Sequence, residues 1–136
     1  MKLTLDNPAS VAAPFGDRFS HLARLDLADG ALLILSGQVG VDDNGAVVAP
    51  GDAAAQTQRI FELISGLLAA HGATLADVLH VRTFMTSLDD LPEYGRVRDG
   101  YFAGSKPAST TVEVSRLFLP GAVLEVEVTA AVPPGR

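Results

Sequence analysis

Residues 52–72 read DAAAQTQRIFELISGLLAAHG. Ile60, Leu63, Ile64, Leu67 and Leu68 recur at i, i+3, i+4, i+7 and i+8, which puts them on one face of a helix. Asp52 can cap the start of that helix, and Gly72 can end it in a left-handed turn. A second helix follows the same logic. Asp89 or Asp90 caps it, Pro92 fits its first turn, and Leu91, Tyr94, Val97, Tyr101 and Phe102 share a face before Lys106-Pro107 stops it. Each helix therefore carries one apolar stripe that must be covered by another element.

The remaining segments read as strands. LLILSGQVG, residues 32–40, begins with an apolar run too short for a helix, and Arg18 to Leu27 is expected to pair with it across the Asp29-Gly30 turn. DDNG at 42–45 breaks the pattern before Ala46-Val47-Val48, a hairpin signature because Asn-Gly accepts positive φ. A calcium loop is the alternative for DDNG, but the later ligands of such a loop are missing. Leu75 to Thr86, Ser109 to Val114 and Val123 to Val132 complete the set, the last alternating Leu124, Val126, Val128 with Glu125, Glu127. The predicted order is β-β-β-α-β-α-β-β. One sheet with both helices on one face buries both stripes and gives an α+β fold. The other face is left without a helix, and a second copy of the chain is the expected cover.

Composition narrows the function. The 136 residues fit a single domain spanning 1–136, long enough to bury roughly two thirds of the unfolded surface. There is no cysteine, which excludes disulfides and thiolate metal sites and fits a cytoplasmic protein. No run approaches a membrane span, so no membrane partner is expected. A net charge of −6 with scattered basic residues argues against nucleic acid as a partner. With 48% hydrophobic and only 19% charged residues, the chain is apolar for a small soluble domain, and this again suggests that other subunits cover part of it.

Several short motifs stand in a particular order: NP at 7–8, PFG at 14–16, SGQV at 36–39, GD then QTQ within 51–58, GATLADV at 72–78, YF at 101–102, PA then VEV within 107–114, and EVEVTA at 125–130. In this order and spacing the chain resembles the RidA/YjgF family of reactive-imine deaminases and their relatives, over nearly its whole length. The resemblance implies a chorismate-mutase-like fold, a homotrimer around a central sheet-lined barrel, and substrate clefts between subunits. No cofactor is expected, and with no second ligand evident near His71 or His80 a metal site has little support.

It also implies roles for particular residues, and here the chain departs from the pattern. Deaminating members carry Pro-Ala-Arg-Ser where this chain has Pro107-Ala108-Ser109-Thr110, so the arginine that clamps a substrate carboxylate is Ser109. Two residues on, Thr111 stands where cysteine is common, and strand alternation puts Ser109, Thr111 and Glu113 on one face. Ser36, beside Gly37, matches a serine that hydrogen-bonds substrate, and Glu125 matches the carboxylate that positions a water. Phe19 falls at a tyrosine and Gly95 at an asparagine. His21, on the same predicted strand face as Phe19, replaces a glutamine, and histidine is the residue type suited to moving protons near neutral pH. His71 and His80 read as structural.

Each retained residue has a plainer reading. Ser36 can simply end a strand, and Glu125 can be a solvated residue like Glu127. Two functions follow. One is a RidA-like enzyme acting on a small imine, enamine or carbonyl metabolite, with Glu125, Ser36 and Thr111 in catalysis and Ser109, Phe19, His21, Gly37 and Gly95 against the substrate. The other is a trimer that binds a small molecule without turning it over. Without the arginine, ordinary 2-imino acids are expected to be poor substrates unless Arg18, Arg96 or Arg98 replaces the clamp. A purely structural trimer would have no open cleft at all.

Overall fold

The computed structural model describes residues 1–135. Seven strands form one sheet: β1 (Lys2–Asp6), β2 (Leu22–Leu27), β3 (Gly30–Leu35), β4 (Gln38–Val39), β5 (Val78–Met85), β6 (Ala108–Glu113) and β7 (Leu124–Val132). The order is β1-β2-β3-β7-β5-β6, with β4 also paired to β7. All pairings are antiparallel except β5 with β6, which α2 (Leu91–Phe102) connects. The other helix, α1 (Ala53–Ala69), joins β4 to β5. The α+β class with one mixed sheet and two helices is as the periodicity predicted.

Alternation along β7 sets the two faces. Leu124, Val126, Val128, Ala130 and Val132 are buried in one core with Ile60, Phe61, Ile64, Leu67 and Leu68 of α1 and Tyr94 and Phe102 of α2. Asp52 caps α1 through its side chain, which accepts from the N–H of Ala55, and Gly72 takes φ +77° just beyond the helix end. The opposite sheet face carries no helix. On it, Leu3 and Leu5 are each 65% exposed and Leu27 and Ile34 each 52%. Beside this apolar half runs a polar half with Glu125, Glu127, Arg82 and His80.

The structure corrects several boundaries. An additional strand, β1, lies at the chain start, held to the turn after α1 by His71 Nε2 and Asp6 Oδ2 at 2.8 Å. Its alternation of Lys2, Thr4 and Asp6 with Leu3 and Leu5 was available in the sequence. Residues 46–48 make only an isolated bridge, Val41 to Val47, because the Asp42 carboxylate takes the N–H groups of Asn44 and Ala46 and closes the turn locally. The strand predicted over 18–27 begins only at Leu22, so Phe19 and His21 lie in a loop and share no strand face. The strand predicted over 32–40 is broken. Ile34 pairs with Thr129 but Gln38 with Val126, so three residues, Leu35 to Gly37, stand opposite two, as in a β-bulge.

One buried amide ties these parts together. Gln56 is fully buried; its Nε2 donates to the carbonyls of Ala49 (3.1 Å) and Gly121 (2.9 Å), and its Oε1 accepts from the N–H of Val123 at 2.9 Å. Gln56→Ala leaves the Val123 N–H unpaired, at about 1–3 kcal/mol, while the Ala49 and Gly121 carbonyls keep the N–H groups of Asp52 and Gly51; the cavity left by the truncated side chain adds to the cost. We expect a net loss of about 2–4 kcal/mol, seen as a lower urea midpoint with an unchanged slope. Exposed Gln58→Ala serves as the near-neutral control.

Candidate functional site

The bulge opens into a cavity of about 620 Å³. Its polar floor is made by Ser36, Gly37, Gln38 and Glu125, and Phe19 and His21 stand in its wall. Five of the eight residues singled out from the sequence therefore meet in one place. Bulges commonly re-aim side chains at such sites, and here the effect is specific. Ser36 is turned so that its hydroxyl donates to the Ser20 carbonyl at 2.7 Å, while its N–H donates to the His21 carbonyl at 2.8 Å. The hydroxyl proton is thus committed, and the Oγ lone pairs remain to accept from a ligand N–H or O–H.

Gly37 sets the position of Glu125. A Cβ at Gly37 would collide with Oε2 and Cδ of the Glu125 carboxyl group, so only glycine lets the carboxylate lie against this backbone. Val39 pairs with Glu125 across β4 and β7, which fixes the same approach from the sheet side. Burial pushes the Glu125 carboxyl above its ordinary pKa, and the like charge of Glu127 adds to the shift. Glu127 itself pairs with Arg82 at 2.9 Å, whereas Glu125 forms no salt bridge among the described residues. The two carboxylates that looked alike in sequence therefore differ: one is ion-paired on the open face and the other is half-buried at a cavity.

His21 is a fixture of the wall. Its Nε2 faces the Ala12 carbonyl at 2.6 Å, and Gln38 Nε2 donates to its Nδ1 at 3.3 Å. The neutral tautomer with the proton on Nε2 satisfies both contacts. Its backbone N–H donates to Asn7 Oδ1 at 2.8 Å, and Gln38 Nε2 also donates to the Ser36 carbonyl at 3.1 Å. The ring thus links the loop carrying Ala12 to the cavity floor and is 6% exposed. His71 and His80 also have partners that the sequence did not reveal: Asp6 for the first and Thr110, at 3.3 Å, for the second.

Ser109, Thr111 and Gly95 lie elsewhere. In the parallel register Ser109 pairs with Val81, Thr111 with Thr83 and Glu113 with Met85. Those β5 residues are buried toward the helices, so Ser109, Thr111 and Glu113 project to the helix side, opposite to Glu125. The shared face predicted for the three is correct, but it is not the face of the cavity in the same chain. Ser109 is exposed at the sheet edge, and Gly95 on α2 has no atom within 4 Å of where a Cβ would stand. Arg18, Arg96 and Arg98 are absent from the cavity lining. Arg98 instead lies 5.4 Å over the Phe102 ring.

Sequence reasoning missed Gln38 as the organiser of the floor, and it missed the aromatic pair Phe15 and Phe118. Their rings meet edge to face at 5.6 Å across the cavity. Gly45 takes φ +82°, and a Cβ there would press on the Phe15 ring at 3.2 Å. The only local hint was an exposed phenylalanine in the loop SRLFLPG, residues 115–121.

The family model for endoribonuclease L-PSP matches residues 14–132. A RutC family protein of Pyrococcus abyssi is 38% identical over 88 residues, 65% of this chain and 69% of its own. The 3-aminoacrylate deaminase RutC of Acinetobacter baylyi is 36% identical over 101 residues, 74% of this chain and 79% of its own. Among solved structures, the Rid-family protein YyfA of Yersinia pestis has a TM-score of 0.85 at 27% identity, covering 96% of this chain and all of that one (100%). With the family match spanning most of the sheet and both helices, the chain belongs to the endoribonuclease L-PSP family, among the RutC and Rid proteins.

Proposed function

We propose that the protein hydrolyses the C=N bond of a small imine, or of the imine tautomer of an enamine, in the cavity beside the bulge. The observation that carries this reading is Glu125: a half-buried carboxylate with a raised pKa, seated on Gly37 and next to Ser36. The 3-aminoacrylate deaminase among its relatives, whose named substrate is an enamine, supports the same chemistry. In the first step a water oxygen bonds to the carbon of the protonated imine, the C=N electron pair moves to nitrogen, and Glu125 takes a water proton, which leaves a neutral carbinolamine. In the second, Glu125 returns that proton to the amine nitrogen, the C–N bond breaks and ammonia leaves, and the hydroxyl proton passes to the Glu125 carboxylate as its oxygen becomes the carbonyl. Ser36 Oγ accepts from the substrate N–H and orients it.

The cavity is completed in a homotrimer, on this reading. The uncovered, partly apolar sheet face needs a partner, and Ser109 and Thr111 reach a cavity only if the β6 edge of one copy meets Glu125 of the next. Loss of the arginine at Ser109 makes ordinary 2-imino acids poor substrates. A non-catalytic binding trimer is the second reading, favoured by the altered positions Ser109, Thr111, Phe19 and Gly95. A cytoplasmic location and a small-molecule metabolite as the only other partner belong to both.

Sedimentation at micromolar concentration is expected to give three times the 14.1 kDa chain mass, and a stable monomer would remove the shared cavity. Glu125→Gln is expected to lower turnover by about 10²- to 10⁴-fold with little change in ligand affinity, and unchanged turnover would favour the binding trimer. A base must be ionised, so activity is lost as pH falls through the Glu125 pKa, and the raised value places this acidic limb above the ordinary carboxylate range. Glu127→Gln removes one of the two causes of the shift and should move the limb of the kcat/KM profile to lower pH. Wild-type protein should hydrolyse 2-iminobutyrate slowly, and Ser109→Arg should bind 2-ketobutyrate more tightly by about 10- to 150-fold in calorimetry, the yield of 1.5–3 kcal/mol from a charged hydrogen bond.

A further inference from the structure

The charges and rings around the cavity say more about what enters it. Among the described residues its lining contains three carboxylates, Asp42, Asp43 and Glu125, and no lysine or arginine. Asp43 is offset by Arg59, whose Nη2 lies 3.2 Å from its carboxylate. That arginine is also turned away by its Nε, which donates to the Val41 carbonyl at 2.6 Å. Asp42 is held by the backbone N–H groups of Asn44 and Ala46, at 2.9 and 3.0 Å, and has no cationic side chain on it. Glu125 likewise has no basic partner among the described residues. The part of the cavity that this chain supplies is therefore negative on balance.

Aromatic rings make up much of the rest. Phe15 and Phe118 are 38% and 61% exposed, from loops far apart in sequence, yet they contact each other at the cavity. Phe19, 46% exposed, stands in the same wall. Exposed phenylalanines that converge on a cavity offer flat apolar surface to a ligand, and their faces attract cations. Both features disfavour a small anionic acid and favour a cation with an apolar body.

We propose that the ligand class of this site is a protonated imine or amine that carries a flat apolar group, with the nitrogen directed to Glu125 and Ser36 and the ring held between Phe15, Phe19 and Phe118. This rests on the cavity assignment above and adds the charge and shape of what it takes. A carboxylate on the ligand is unnecessary, which gives the serine at Ser109 a reason. Specificity then comes from the rings at the cavity instead of from a guanidinium clamp.

Calorimetry on the full-length protein at pH 7.5 tests this with four probes: benzylamine, phenylacetate, benzyl alcohol and n-butylamine. Benzylamine is expected to bind about 10-fold or more tightly than benzyl alcohol or n-butylamine, with phenylacetate weakest. Phe118→Ala and Phe15→Ala, both at partly exposed positions, should each weaken benzylamine by about 2- to 10-fold and leave n-butylamine nearly unchanged. Phenylacetate binding as tightly as benzylamine, or n-butylamine matching benzylamine, would overturn the proposal. Hydrolysis of the imine formed between ammonia and benzaldehyde is measured in parallel. Cation preference without Glu125-dependent hydrolysis sustains this inference and removes the catalytic reading. Glu125-dependent hydrolysis of 2-iminobutyrate with no cation preference does the reverse.

Discussion

The side chain of Gln56 is the constraint on which the site depends. It sits in the first turns of α1, fully buried, and bonds to three backbone groups on two separate loops. One of those groups, the N–H of Val123, directly precedes β7. The amide therefore fixes where β7 begins relative to the helix, and with it the level at which Glu125 stands. Gly40 belongs to the same arrangement: a Cβ there would come within 3.0 Å of the Gln56 carbonyl, so β4 can approach the helix only as closely as glycine allows. A polar group in a core is costly unless every bond is made. Here three bonds, two of them to groups 65 and 67 residues away in the sequence, convert that cost into positional information.

The bulge at Leu35 to Gly37 uses this fixed frame. Between two pairings to the same β7 strand the register slips by one residue, and the slip turns Ser36 and Gly37 toward the cavity. Glycine at 37 then leaves room for a carboxylate to lie on bare backbone, where burial raises its pKa. A short dipeptide thus supplies an acceptor oxygen and the seat of a half-buried carboxylate. His21 and Gln38 stabilise the same corner from the side, since their mutual bond ties the Ala12 loop to the floor.

The division of the sheet between its two faces connects this chemistry to assembly. The helix side is a closed apolar core, while the other side is half leucine and isoleucine and half charged. Glu125 lies at the border of that charged half, so anything that covers the open face also lowers the dielectric around it. In the proposed trimer, burial of the apolar half drives association, and the cavity becomes more enclosed as a result. Assembly and the tuning of the carboxylate would then be one process.

The sequence by itself determined what depends on near neighbours. The stripe Ile60, Leu63, Ile64, Leu67 and Leu68 specifies α1, and the Val/Glu alternation of 123–132 specifies a half-buried strand, because 3.6 and 2.0 residue periods are local properties. Motif order sufficed to bring Ser36, Gly37 and Glu125 forward as a group. Tertiary structure decided everything that rests on distant pairs. The face presented by Ser109 follows from its register with Val81, some 30 residues earlier by the numbering. The role of His21 follows from Ala12 and Gln38, and the distinction between Glu125 and Glu127 from Gly37 on one side and Arg82 on the other. Phe118 joins Phe15 only because two loops meet over the bulge. Periodicity tells each segment which face to bury, but the identity of the neighbour across that face is a property of the folded chain.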